Sequence, residues 1–117
     1  SGGMVSGKVS LDPKIKAKVE DNDTVFIFAR DADAPLRPPL AILRKTAKEL
    51  PLIFTLNDSM AMSPAFKLSS ASKVIVGARI SKSGSATPSP GDLQGFSQPA
   101  LIGENGIAIT INSEIKQ

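Results

Sequence analysis

The sequence has 117 residues and a mass of 12.2 kDa, with 41% hydrophobic and 21% charged residues, which suits one soluble folded domain around a single modest core. It has no cysteine and no histidine, which excludes disulfide scaffolds, zinc and copper sites built on thiolate or imidazole, and every nucleophile that needs an imidazole base. The formal charge is +3, but the basic residues lie in diluted groups (Lys14, Lys16, Lys18; Arg44, Lys45, Lys48) and neither Trp nor Tyr supplies a base-stacking platform, so no nucleic-acid partner is expected.

In chain order, Ser1-Gly2-Gly3 ahead of Met4 reads as a short cloning remnant on a piece of a longer protein. Residues 4–112 read as the folded domain and 113–117 as a C-terminal tail. Strand alternation begins at once, with Val5, Val9 and Leu11 on one side and Ser6, Lys8 and Ser10 on the other. Asp12 and Pro13 are an N-cap and first helical position for about two turns over 13–20, which would set Ile15 and Val19 on one face. Val25 to Ala29 is apolar at both parities, as in a central strand. Leu40 to Leu43 is a short apolar run, and a further helical turn fits between Arg44 and Pro51. Leu52, Phe54 and Leu56 alternate with Thr55 and Asn57. Val74, Val76, Ala78 and Ile80 share one face of the next strand, with Ile75, Gly77 and Arg79 on the other. Ile107, Ile109 and Ile111 alternate in the last, and a short strand near Ala100 to Ile102 would be a seventh.

No apolar run approaches the roughly 20 residues of a membrane span. The helical stretches are too short to cover a sheet, so the strands must cover one another. The expected fold is all-β, an antiparallel β-sandwich of about six or seven strands with one or two short helical turns, with a small open barrel as the alternative. Two Pro-rich loops interrupt it, residues 31–39 and 81–99, and the second shows no periodicity.

Few constellations carry chemistry. Asp21-Asn22-Asp23 opens like a calcium loop, but Phe26 and Ala32 stand where that loop needs Gly and Glu, so a turn into the strand at Thr24 is the better reading and no metal is expected. Lys82 between Ser81 and Ser83 has the residues of a Ser–Lys dyad without a nucleophile elbow, and no carboxylate pair suggests acid–base work. An enzyme is not expected. Asn57 to Met62 is a polar strand end followed by two methionines at spacing two, a pattern that either plugs one end of the sandwich or offers an adaptable docking surface. Arg79, Ser81 and Lys82 read as a solvated sheet face, with the grip on an acidic or carbonyl partner as the sharper alternative.

The run Leu50-Pro51-Leu52-Ile53-Phe54-Thr55-Leu56-Asn57-Asp58-Ser59-Met60-Ala61-Met62 resembles a family signature. Val74 to Gly84 and Pro90-Gly91-Asp92-Leu93-Gln94-Gly95 are similar to its second and third pieces, and Val5 to Pro13 and Asp23 to Arg30 match upstream. Together, from about residue 5 to 95, they resemble the C-terminal periplasmic domain of cytochrome c biogenesis proteins of the CcmI/CycH type, departing at Asn57, where the family often has Asp. The resemblance implies a periplasmic domain of a protein anchored in the inner membrane, whose whole chaperones apocytochrome c to the haem-ligation complex without being the ligase. It implies apocytochrome c and haem-ligation subunits as partners, no cofactor, and Asp58, Ser59, Met60, Met62, Arg79, Ser81 and Lys82 as a candidate contact surface. The alternatives are a sandwich that binds a small apolar ligand or haem, with Met60 or Met62 as axial ligand, and a structural spacer with no partner of its own.

Overall fold

A computed structural model describes residues 3–34, 38–61, 67–84 and 89–115. Among them nine strands form two sheets: β1 Met4–Leu11, β2 Thr24–Asp31, β3 Ala41–Thr46, β4 Leu52–Asn57, β5 Lys73–Ser81, β6 Leu93–Phe96, β7 Ala100–Leu101, β8 Ile107–Ile111 and β9 Ser113–Glu114. The smaller sheet runs β4-β1-β8 and the larger β3-β2-β5-β6-β9, with β7 paired to β5. The sandwich expected from the alternation is the fold observed, and its core is the inner parity of both sheets. Val5 and Val9, Leu52, Phe54 and Leu56, and Ile107, Ile109 and Ile111 face Val25, Ile27 and Ala29, the even-numbered residues Val74 to Ile80, and Leu93. No helix among the described residues is long and apolar enough to cross a membrane.

The helical segments are 3-10 turns over 13–18, 47–49, 58–60 and 68–70. Asp12 caps the first as its residue type implies, its side chain accepting from the Lys14 N–H at 2.9 Å. The turn ends at Lys18 and Val19 is already extended, so the four-residue spacing of Ile15 and Val19 is not realised on a helix face.

Three features escape the sequence pattern. First, β1 and β8 are parallel, Gly7 beside Ile107 and Leu11 beside Ile111. The chain returns from β7 through Gly103 and Gly106, both at positive φ that other L-residues disfavour, and Gly103 and the Glu104 carbonyl bond to Met4 and Ser6. Secondly, the supposed loop 81–99 contains β6, only four residues with a glycine inside, too brief for alternation to register. Thirdly, residues 113–115 are not a tail. Ser113 and Glu114 pair with Gln94 and Leu93, Ile115 exchanges backbone hydrogen bonds with Gly91 and Asp92, and Glu114 meets Lys18 at 2.6 Å.

The last strand therefore leaves the smaller sheet as β8 and joins the larger as β9. It crosses over Gly95, where a Cβ would collide with the Thr110 carbonyl and come within 2.9 Å of the Ile111 Cα. Both obstacles are backbone, so little can yield. Gly95→Ala is expected to cost about 1–3 kcal/mol or more, read as a lower urea midpoint, whereas Gly91→Ala, whose Cβ would meet nothing within 4 Å, carries only the strain of its positive φ.

Candidate interaction surfaces

The strand registers divide the seven candidate residues between the two ends of the sandwich. Met4 at the start of β1 pairs with Asn57, so Asp58, Ser59 and Met60 lie at that end. The chain after β1 leads to Lys18, whose carbonyl accepts from the Lys82 ammonium, which puts Ser81 and Lys82 at the other, roughly 25 Å away at the rise of a strand. They do not form one surface. Met62 lies outside the described residues.

At the first end, Asn57 caps the 58–60 turn by accepting from the Ser59 N–H at 2.9 Å, and Met60 is half-buried against the core. Asp58 accepts from the Ser69 N–H at 3.1 Å. Hydrogen bonds from the Ser69 side chain, then its backbone, hold the Asp58 carboxyl below its ordinary pKa, with smaller help from the Gly3 backbone and Lys67.

At the other end the expectation of a solvated face is corrected for Arg79 and Ser81, while Lys82 is exposed. Arg79 is 4% exposed and Ser81 1%. The Arg79 guanidinium donates to Asp92 at 2.8 Å, and Asp92 is itself buried and accepts from the Ser89 N–H at 3.0 Å. Ser81 Oγ accepts from the Gly84 N–H at 3.0 Å and so closes a turn. The Lys82 ammonium bridges to the buried Asp23 at 2.6 Å, and Asp23 also accepts from the Glu20 N–H at 2.9 Å. These are internal clasps: Arg79 sits on the predicted outer parity, but Asp92 and Phe26 cover it.

A surface that the sequence reading did not single out is the outer face of the larger sheet. The ladder registers set two rows side by side, Ile42–Phe28–Gly77–Phe96 and Arg44–Phe26–Arg79–Gln94. Phe28 and Phe96 meet edge to face, centroids 6.2 Å apart, above Gly77, where a Cβ would stand 2.8 Å from both side chains. Arg44 and Arg79 lie over the Phe26 ring at 5.8 and 5.1 Å, and Arg30 over Phe28 at 5.3 Å. A groove of about 100 Å³ runs between Phe26, Phe28 and Phe96 with Pro39 and Ile42 along it, and Phe96 is 50% exposed. The signal was present in the parity of Phe26, Phe28 and Arg30, but an apolar run filled at both parities looks like a strand covered on both sides.

Residues 5–112 match the family model for the Ig-like domain of cytochrome c-type biogenesis protein H. The chain is 38% identical over 86 residues to the cytochrome c-type biogenesis protein CycH of Pseudomonas aeruginosa, covering 74% of this chain but 21% of that protein, so it spans about a fifth of that relative's length. It is 32% identical over 113 residues to an uncharacterized protein of Aquifex aeolicus, covering 97% of this chain and 73% of that one. Among solved structures, an alternative pilotin from the type II secretion system of Vibrio cholerae has the same fold at a TM-score of 0.54 and 16% identity, over 97% of this chain and 99% of that one.

Two outcomes follow from the clasps. Removing one member of the buried pair, as in Asp92→Ala, strands a guanidinium and should cost about 3–5 kcal/mol, while the double variant Arg79→Met, Asp92→Ala should recover a large part of it in denaturant unfolding. The Asp58 carboxyl is lowered, and so is that of Glu49, chiefly by the Thr46 backbone N–H and then its hydroxyl. The folded state therefore binds these protons less tightly than the unfolded chain does. Their stabilisation is complete above the ordinary carboxylate range and is lost as pH falls through the lowered values, below about pH 4. Melting temperatures from pH 7 to 3 should fall more steeply for the wild type than for Asp58→Asn, Glu49→Gln.

Proposed function

The chain belongs to the family of Ig-like domains of cytochrome c-type biogenesis protein H, and from that membership we propose that it is a non-enzymatic interaction domain in cytochrome c maturation. In this reading the whole protein is anchored in the inner membrane and holds the domain in the periplasm, where it helps to capture apocytochrome c and pass it to the haem-ligation complex. The observation that carries it is the Phe–Arg face. Arginine and aromatic residues are the types enriched where interfaces bury their centre, and here Phe96 is half exposed beside a shallow apolar groove.

The two rows hold arginines and no carboxylate, and Asp92 beside them is engaged by Arg79. The partner segment that complements them brings carboxylates or backbone carbonyls together with apolar side chains. Asp58, Ser59 and Met60 are a second contact region in this proposal, to which the sequence adds Met62. Arg79 serves it from within the face, held over the Phe26 ring by Asp92, and Ser81 and Lys82 fix the turns at its end.

Calorimetry of this domain with an apocytochrome c, and separately with the periplasmic parts of the haem-ligation complex, tests the proposal. Saturable binding to one of them is expected, weakened at least tenfold, about 1.4 kcal/mol, by Phe96→Ala and further by Arg44→Glu, with the fold retained by circular dichroism. Binding to neither, or binding indifferent to both substitutions, overturns it.

A further inference from the structure

A second concavity lies at the end of the sandwich away from Met4, between the 13–18 turn with the chain that follows it and the 47–51 turn. It is a half-open pocket of about 440 Å³, within the range of small-molecule sites. Leu11, Val19, Ala47 and Leu50 supply its apolar lining, and all four belong to or pack on the hydrophobic core. Its walls are tied together by backbone hydrogen bonds, Ala47 N–H to the Asp23 carbonyl at 2.9 Å and Lys48 N–H to the Asp21 carbonyl at 3.1 Å. The pocket is therefore formed before any ligand arrives.

Its charge is one-sided. Lys8, Lys16 and Lys48 line it against one carboxylate, Asp21. Glu20, between the lining Val19 and Asp21, is exposed, and the remaining acids nearby are engaged elsewhere. Glu49 accepts from the Thr46 N–H and hydroxyl at 2.8 and 3.1 Å, Asp23 from Lys82, Asp12 from the Lys14 N–H, and Glu114 from Lys18. None of the three lining ammoniums makes an ion pair or side-chain hydrogen bond among the described residues. A cavity lined by four core-linked apolar residues and three lysines complements a molecule with an apolar body and a negative group.

We infer that this pocket binds a small organic anion, a carboxylate or comparable acid on an aromatic or branched aliphatic body. The site is distinct from the Phe–Arg face, so its fate is independent of partner binding there. The test is a proton–nitrogen NMR titration of the 117-residue chain with 1-naphthoate, with the uncharged 1-naphthalenemethanol as control. Saturable shifts confined to the amides of Val19, Asp21, Ala47, Lys48 and Leu50 and their neighbours are expected, with a Kd at or below about 1 mM. The alcohol should bind at least tenfold more weakly, as should naphthoate to the triple variant Lys8→Gln, Lys16→Gln, Lys48→Gln, whose remaining spectrum should be unchanged. Raising the salt should weaken naphthoate and leave the alcohol unaffected. Absent or scattered shifts, or equal affinity for the alcohol or for the triple variant, overturn the inference.

Discussion

The backbone of the last strand passes over Gly95, and much of the molecule depends on that contact. With no side chain at Gly95, residues 110 and 111 lie directly on β6, and the chain moves from the smaller sheet to the larger at the single residue Asn112. β9 then lies along β6, and Ile115 bonds the backbone of Asp92. Asp92 in turn engages the buried Arg79 guanidinium, which lies over the Phe26 ring. A side chain at one position would thus disturb the joining of the sheets, a buried ion pair and the middle of the outer face together.

That face combines two needs. A sheet without helices to cover it must make its outer side tolerable to water, and arginines stacked on phenylalanine rings do so by laying a flat, weakly hydrated cation over apolar carbon. Gly77 deepens the arrangement by letting two rings settle onto the strand between them. Part of the same face is what a protein partner would use, since the Phe96 ring is half exposed and Arg44 is exposed beside the buried Phe26. The lysine-lined pocket at the end of the sandwich follows another logic: compact, strongly hydrated charges beside an apolar hollow suit a small anion better than an extended interface.

The candidate site was only partly legible in the sequence. Asp58, Ser59 and Met60 are where a strand end followed by a polar turn must put them, at one tip of the sandwich. Arg79 and Ser81 were legible as the end of β5 but not as buried, and the exposed Lys82 just past it was not legible as an ion-pair partner, because Asp92, Gly84 and Asp23 reach them only through turns whose course no periodicity encodes. The Phe–Arg face was hidden for a related reason. Its rows are assembled across four strands, and each strand contributes two residues that look ordinary alone.

By itself the sequence determined the class of fold, the inward parity of the long strands, the Asp12 cap and the ordered motifs that carry the family resemblance. These are local properties, written in a period of two or in one residue's side-chain chemistry. Tertiary structure alone decided the parallel pairing of β1 with β8, the short strand β6, the capture of residues 113–115, and which charged groups were buried. A strand's alternation states which side faces inward but not which neighbour it will have or which way that neighbour runs. Those choices follow from how the two inner faces close over one core and from the few glycines that let the backbones touch.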